Sequence, residues 1–231
     1  MEIDLNCDLG EGSPFDAALM PLITSANICC GAHAGDAATA HATLELAKTY
    51  GVQVGAHPGF ADREHFGRRE LTLTRDEIST ECRNQVGTLA GLAKALEIPL
   101  KYIKPHGALY NMACRDLAVA AAIVESATMF CLPVMGLPNS QLQAACLGKC
   151  SFIAEGFADR RYRSDGSLVP RGQPGAFITE PDEAVAQLLQ MLNEHRVQTI
   201  CVHGDNPKAL LFVRKLREVL AAIGVAIRAC S

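Results

Sequence analysis

The amino-acid sequence predicts an α/β fold in which seven parallel strands alternate with helices and close into a TIM-like βα barrel. Short continuous apolar runs recur along the 231 residues, as is typical of parallel strands that are buried on both faces. Nearly every run ends in His, Asp, Asn or Lys. An open doubly wound sheet would gather such groups mainly at its switch point, so polar residues after nearly every strand favour the barrel.

The elements follow one another without a linker or a change in composition, which predicts one domain over residues 1–231. The fourth strand begins at Lys101 and stops at Pro105, because proline ends a strand. The other strands are predicted at residues 3–6, 25–30, 52–57, 133–136, 152–155 and 199–203. Helices are predicted at residues 16–23, 37–50, 74–96, 115–130, 140–147, 182–195 and 208–223. Asp36 is the expected N-cap of the second helix, and Thr74 with Glu77 forms a capping box for the third.

Composition and charge exclude several classes of protein. A formal net charge of −4 gives no reason to expect nucleic acid or an acidic membrane as a partner. No apolar run approaches the roughly 18–20 residues of a membrane span. The acidic N-terminal segment lacks the apolar part of a signal peptide, so we expect a cytoplasmic protein. The ten cysteines form no CxxC pair, and we expect reduced thiols.

The candidate site residues stand at the ends of the predicted strands or in the loops that follow. Any one of them has an ordinary structural explanation as a paired core residue or a solvated loop residue. Four histidines that converge on one face with carboxylates are harder to explain as packing, because buried polar groups cost free energy unless they are paired. The candidates are Asn6, Asp8, Glu11, Asn27, His33, Asp36, His57, Lys104, His106, Tyr110, Asn111, Glu155, Asp159, His203 and Asp205.

Basic residues form a second group of candidates. Arg68 and Arg69, together with the arginines of residues 160–163, are placed to bind a carboxylate or phosphate, although a solvated loop explains them equally well. The motifs GxGxxG, GxxxxGK[ST], GxSxG and HExxH are all absent from the sequence.

The sequence also contains motifs that are long enough to be compared with those of known families. They are DLNCDLGEG at 4–12, SANICCGAHAGD at 25–36, GAHP at 55–58, FGRR at 66–69, KPHGALYN at 104–111, FADR at 157–160, GSLVPR at 166–171 and VHGD at 202–205. Together they resemble the LamB/YcsF family along the whole chain. Cys7, Cys29 and Ala32 differ from the residues usual in that family and are expected to enlarge or soften the wall of the pocket.

The resemblance implies a seven-stranded barrel of the glycoside hydrolase and polysaccharide deacetylase type. It also implies the A component of an ATP-dependent 5-oxoprolinase, which opens 5-oxo-L-proline to L-glutamate with subunits B and C. A lactam is a poor electrophile, and phosphorylation of its amide oxygen would activate the ring carbon for attack by water. Lys104, Arg68 and Arg69 are candidates for binding phosphate, and Asp8, His33, Asp36, His57 and His106 for accepting the proton of water. ATP is bound partly or wholly by the partner subunits in this interpretation.

Two alternatives remain open at this stage. In sugar deacetylases with a similar barrel, a divalent metal is bound by one Asp and two His, and the analogous residues here are Asp8, His57 and His106. Such a site would hydrolyse an amide without ATP. In the other alternative, the chain is a non-catalytic subunit that delivers 5-oxoproline to its partners.

Overall fold

In the part of the chain that the structure describes, eight parallel strands form one sheet. The computed structural model describes residues 1–194, 197–204 and 208–230. The strands are β1 (Glu2–Leu9), β2 (Ser25–Cys29), β3 (Gln53–His57), β4 (Leu100–Ile103), β5 (Val134–Gly136), β6 (Phe152–Phe157), β7 (Thr199–Cys201) and β8 (Ala226–Ile227). Strands β1 to β7 pair in sequence order, and β1 pairs with both β2 and β7, so these seven strands close into the predicted barrel.

Helices surround the barrel. They are α1 (Asp16–Leu19), α2 (Ala37–Tyr50), α3 (Arg75–Ala95), α4 (Gly107–Arg115), α5 (Leu117–Met129), α6 (Gln141–Cys146), α7 (Pro181–Asn193) and α8 (Ala209–Ala222). The predicted caps of α2 and α3 are present: Asp36 accepts from the backbone N–H of Thr39, and Thr74 and Glu77 form the reciprocal capping box. In the described part of the chain, no single helix has the length and hydropathy to span a membrane, whereas α4 and α5, bent by 115°, meet these criteria only as a pair.

The first strand shows how the sequence supplies two different faces. Ile3, Leu5, Cys7 and Leu9 are buried in the apolar layer between the barrel and its helices. The alternate residues Asp4, Asn6 and Asp8 face the barrel interior, since successive side chains of a strand point to opposite faces and these three bond to residues of β2, β4 and β7.

The interior of the barrel is filled by side chains. The ring of Tyr102 lies so close to Gly55 that a Cβ atom there would come within 2.4 Å of three ring atoms. Gly55 is therefore required for the backbone of β3 to pass this ring. The Tyr102 hydroxyl donates to Asn27 Oδ1 at 2.7 Å and so keeps its own hydrogen bond inside the barrel.

Helices α4 and α5 and strand β8 differ from the sequence-based prediction. The segment after Gly107, predicted as a loop, is helix α4, and the predicted helix from residue 115 begins instead at Leu117. Asp116 separates the two helices because its carboxylate accepts from the N–H groups of Ala118 and Val119 and caps α5. Strand β8 was not predicted, because two residues that pair with Glu2 and Ile3 form too short a run to show a pattern.

Candidate active site at the barrel mouth

A small cavity opens where the strands end at the C-terminal mouth of the barrel. Its volume is about 30 Å³, which is room for about two water molecules. The lining residues are Asp8, His57, Lys104, Pro105, His106, Gly107, Tyr110, Asn111, Phe157, Arg160, Leu168, Arg171 and His203. Seven of the predicted site residues are among them: Asp8, His57, Lys104, His106, Tyr110, Asn111 and His203.

Asp8 occupies the centre of the site. Its Oδ1 accepts from Asn27 Nδ2 at 2.7 Å and from Lys104 Nζ at 2.8 Å. Its Oδ2 lies 3.4 Å from His57 Nε2. Burial alone would raise the pKa of Asp8, but His57 and Lys104 hold this pKa well below its usual range. Asp8 is therefore an ionised carboxylate with one oxygen held by donors and the other directed at an imidazole.

The ammonium of Lys104 is fully engaged with protein groups. Besides Asp8 it contacts Glu155 Oε1 at 2.7 Å, Cys201 Sγ at 3.1 Å and Asn6 Oδ1 at 3.2 Å. Although burial opposes it, the pKa of Lys104 is raised well above its usual range by Asp8, Cys201 and Glu155. These contacts make Lys104 a permanent cation that positions Asp8, and they use the donors that the predicted phosphate-binding role requires.

Glu155 links this pair to the other wall of the cavity. Its Oε2 accepts from the Tyr110 hydroxyl at 2.9 Å. Burial raises the pKa of Glu155 even though Lys104 opposes the shift. Burial, together with Glu155, also raises the pKa of Tyr110 well above its usual range. The candidate residues Asn6, Asn27 and Glu155 therefore lie behind the cavity lining and support Asp8 and Lys104 from within the barrel.

Three histidines and one glutamate form a compact group, here called the imidazole cluster: Glu11, His33, His57 and His106. Glu11 Oε1 lies 3.1 Å from His33 Nε2, 3.2 Å from His106 Nδ1 and 3.8 Å from His57 Nε2. His57 Nε2 and His106 Nδ1 are 3.0 Å apart. The ring of His33 is stacked on that of His106, with centroids separated by 3.7 Å.

The ionisation of the imidazole cluster follows from burial and from close charges. Burial would raise the pKa of Glu11, but the adjacent imidazoles of His106 and His33 hold it well below its usual range. Burial lowers the pKa of His106 although Glu11 opposes this shift. The ammonium of Lys104, two residues before His106, is directed at Asp8.

The backbone around the imidazole cluster is adapted to it. His106 stands at the N-cap of α4 without capping it, although this position usually carries a small polar side chain that does. Its Nε2 instead contacts the carbonyl oxygen of Phe66 at 2.8 Å. Gly67 has φ +63°, and a Cβ there would lie 2.7 Å from His33 Cβ. The local backbone is therefore shaped to hold the rings rather than to complete the helix.

A second imidazole–carboxylate pair lies just after the ends of β7 and β6. His203 Nδ1 donates to Asp159 Oδ1 at 2.9 Å, and its ring is stacked on Phe157. Burial opposes the shift, but His203 lowers the pKa of Asp159. Because Nδ1 carries the proton toward Asp159, Nε2 of neutral His203 is free to accept a proton from a group in the cavity.

Three predicted site residues lie elsewhere. Asp36 caps α2 and does not line the cavity, so its predicted catalytic role is not supported. Arg69 is paired with Asp62 at 3.3 Å, and its side chain is 56 % exposed. Arg68 stacks on Phe66, with its guanidinium carbon 4.7 Å from the ring centre, and does not line the cavity. Asp205 lies outside the described residues, as does His195 at the predicted end of α7.

The unusual residues Cys7, Cys29 and Ala32 do not line the cavity, which corrects the expectation that they enlarge its wall. Cys7 faces the outer apolar layer. Cys29 lies under the imidazole cluster, where Sγ is 3.2 Å from His33 Nε2 and donates to the Ala34 carbonyl oxygen at 3.1 Å.

The loop between β6 and α7 contributes residues that the sequence pattern did not place in the site. Isolated bridges from Arg160 to Phe177 and from Tyr162 to Leu168 fold this loop back on itself. They bring Leu168 and Arg171 to the cavity beside Arg160. Arg160 donates to the carbonyl oxygens of Val169 and Ala176, and burial together with Arg171 lowers its pKa to about 10. In the sequence, the GSLVPR motif at 166–171 was the signal that could have identified Leu168 and Arg171 as site residues.

The site therefore combines an ionised carboxylate, several imidazoles that accept protons when neutral, and two arginines at one cavity. Acceptors of this kind can take a proton from water, and guanidinium groups bind carboxylate or phosphate oxygens. This set suits hydrolysis of a small substrate that carries an anionic group.

Comparison with known proteins agrees with the fold. The crystal structure of a lactam utilization protein from Thermus thermophilus is 38% identical over 100% of both chains, with a TM-score of 0.92. The catalytic domain of a peptidoglycan N-acetylglucosamine deacetylase from Eubacterium rectale is 11% identical, with a TM-score of 0.58 over 99% of this chain and 88% of that one. A family 4 carbohydrate esterase from Streptomyces lividans is 14% identical, with a TM-score of 0.53 over 100% of this chain and 93% of that one.

The last two likenesses show the fold alone, and they confirm the predicted barrel of the deacetylase type. The model of the LamB/YcsF family matches residues 3–231. The chain therefore belongs to the LamB/YcsF family, as its motifs predicted.

Proposed function

We propose that this chain is a cytoplasmic hydrolase component that acts on a lactam: the A component of an ATP-dependent 5-oxoprolinase, working with subunits B and C. The observation that carries the proposal is the likeness over full length, at 38% identity, to a protein named for lactam utilization. The small polar cavity with its carboxylate, imidazoles and arginines supports a compact, anionic amide as the substrate.

The chemistry requires activation of the ring. Phosphoryl transfer from ATP to the lactam oxygen would make the ring carbon more electrophilic. Water attacks that carbon, the nitrogen gains a proton and leaves as the amine, and the ring opens to an acyl phosphate. A second water hydrolyses the acyl phosphate to the carboxylate and phosphate. The barrel mouth offers groups for the proton transfers: Asp8, beside the imidazole cluster, on one side, and His203, oriented by Asp159, on the other.

The anionic groups of the reaction need cations. Because the Lys104 ammonium is engaged with Asp8 and Glu155, we assign the substrate carboxylate or the phosphoryl group to Arg160 and Arg171, which line the same cavity. Binding of ATP is assigned partly or wholly to subunits B and C.

The test is the release of glutamate from 5-oxoproline with and without ATP. The isolated chain is expected to show little or no turnover, and addition of candidate subunits B and C is expected to give ATP-dependent release. Absence of turnover in the assembled complex would overturn the proposal. Robust turnover by the chain alone would contradict the division of labour.

Metal-dependent hydrolysis of an amide without ATP is a second candidate function. The close approach of His57 Nε2 to His106 Nδ1, at 3.0 Å, favours it. Release of glutamate or acetate that depends on an added divalent metal and not on ATP would establish this alternative. A delivery role without catalysis predicts instead that the variant Asp8→Asn supports full turnover in the complex as long as it binds 5-oxoproline.

A further inference from the structure

One ring nitrogen of each of two buried histidines faces the other. His57 Nδ1 lies 2.7 Å from the carbonyl oxygen of Lys104, and His106 Nε2 lies 2.8 Å from that of Phe66. A carbonyl oxygen only accepts, so each of these nitrogens carries a proton. The remaining nitrogens, His57 Nε2 and His106 Nδ1, lie 3.0 Å apart, and in neutral rings both would be acceptors.

Two buried acceptors at this distance repel each other unless a cation lies between or beside them. Glu11 supplies a third group with a lone pair that can bind a cation. Glu11 Oε1 is 3.2 Å from His106 Nδ1 and 3.8 Å from His57 Nε2. Donors placed about 2.0–2.2 Å from a tetrahedral ion are about 3.3–3.6 Å from each other. The three separations around the imidazole cluster lie close to these values.

His33 is part of the imidazole cluster, but its ring is turned away from this role. Its plane is within 8° of parallel to that of His106. An ion in the plane of the His106 ring, where the lone pair points, therefore cannot also lie in the plane of His33. His33 Nε2 instead donates to Glu11 Oε1 at 3.1 Å. His33 is a positioning residue that orients the carboxylate, as outer partners of metal ligands commonly do.

We propose that Glu11, His57 and His106 bind one divalent transition-metal ion, with Asp8 at its open side toward the cavity. Imidazole and carboxylate donors suit Zn²⁺ and related ions. The set differs from the one expected by analogy with deacetylases, because Glu11 contacts both imidazoles. Asp8 Oδ2 lies 3.4 Å from His57, while its Oδ1 is held by Asn27 and Lys104. Such an ion would polarise a carbonyl or phosphoryl oxygen in the cavity.

The test measures metal binding by the purified chain after treatment with a chelator. Titration with Zn²⁺ is expected to show about one ion per chain, with a rise in melting temperature. Glu11→Gln and His57→Gln should each weaken binding more than 100-fold, whereas His33→Asn should weaken it about 10- to 100-fold. His41→Asn is the matched control, because His41 is on α2 with its side chain 45% exposed and should leave binding unchanged.

Substitution with Co²⁺ separates this site from binding by cysteine. The expected absorption spectrum has visible bands without the intense near-ultraviolet band that thiolate ligands produce. Three results would overturn the proposal: no stoichiometric binding, a thiolate band, or an affinity that Glu11→Gln and His57→Gln leave unchanged. The absence of binding would indicate that a proton lies between the imidazoles. Binding is measured without 5-oxoproline, ATP or partners, so either proposal can fail while the other stands.

Discussion

Two buried polar groups lie at opposite ends of the same barrel, and they are built differently. The floor network consists of Asp4, Thr24, Ser25 and Thr199, at the N-terminal ends of β1, β2 and β7. Asp4 Oδ1 accepts from the hydroxyls of Thr24 and Ser25, each at 2.7 Å, and Oδ2 accepts from Thr199. Every contact there joins a donor to an acceptor. In the imidazole cluster at the mouth, His57 Nε2 faces His106 Nδ1, and two neutral rings would place acceptor against acceptor.

Burial alone does not distinguish these groups. Asp4 and His57 are both 1% exposed, yet only the floor network satisfies its own hydrogen-bonding capacity. A satisfied network contributes to stability and to a unique packing arrangement. A buried group that repels itself is retained at a cost in stability, which is typical of functional sites. Floor variants should therefore change stability with little effect on turnover, and mouth variants should do the reverse.

The largest effect is expected for Asp8→Asn. This change removes the charge at the centre of the mouth but keeps the shape and one acceptor. Turnover of the complex with subunits B and C should fall on the order of 10²–10⁴-fold, the contribution typical of a positioned acid or base. Asp116→Asn, at the exposed cap of α5, is the matched control and should retain wild-type turnover. An Asp8→Asn complex within threefold of wild type would show that this carboxylate takes no part in the reaction.

A somewhat smaller effect is expected for His106→Asn. Loss of its ring should lower turnover on the order of 100-fold, while the fold remains intact. The comparison is sharpened by measuring melting temperature and turnover on the same preparation, with His41→Asn as control. If His106 only satisfies a buried hydrogen bond, the variant should instead lose about 1–3 kcal/mol of stability and the folded fraction should keep its activity. That outcome would place His106 with the floor network.

The sequence was sufficient to predict the barrel and the convergence of residues at its mouth. Apolar runs define parallel strands, and parallel strands in a barrel all end at the same face, so Asp8, His57 and His106 had to approach one another. The pattern could not predict which side chains contact one another. Asp36 and Lys104 had the right residue types in the right loops, but one caps a helix and the other is saturated by buried carboxylates.

Residues delivered by folded loops were the hardest to assign. Glu11 follows β1 in a turn with Gly10 and Gly12 at positive φ, and this turn carries its carboxylate among the histidines. Arg171 reaches the cavity only because the β6–α7 loop folds back through its bridges. Neither path has a periodic signal, since loop geometry is set by tertiary contacts rather than by spacing along the chain.

The Asp159–His203 pair lies at the mouth, but its donor and acceptor match, as they do in the floor network. Its variants should therefore affect stability. Asp159→Asn should lower the free energy of unfolding by about 1.5–3 kcal/mol at neutral pH, the range for a hydrogen bond to a charged group. The pKa of Asp159 is lowered in the folded state from an ordinary value of 3.8. Its stabilising contribution is therefore present above pH 3.8 and is lost as the pH falls through the folded-state value. Urea unfolding from pH 7 to pH 3 should show the two proteins becoming more alike at the acidic end; a constant or growing difference would contradict the assignment.

The smallest effect is expected for Ser25→Ala in the floor network. The substitution removes one hydroxyl that donates to Asp4, which keeps the hydroxyls of Thr24 and Thr199. Loss of one hydrogen bond of three should cost about 1 kcal/mol, which for a chain of this length lowers the melting temperature by about 2–4 °C. Turnover per folded molecule should stay within twofold of wild type, because no atom of Ser25 lines the cavity. The contrary outcome is a Ser25→Ala protein of unchanged stability but tenfold lower turnover. That result would mean that the floor network and the mouth are coupled through Asn6, which contacts both Thr199 and Lys104. The division between a structural floor and a functional mouth would then be wrong.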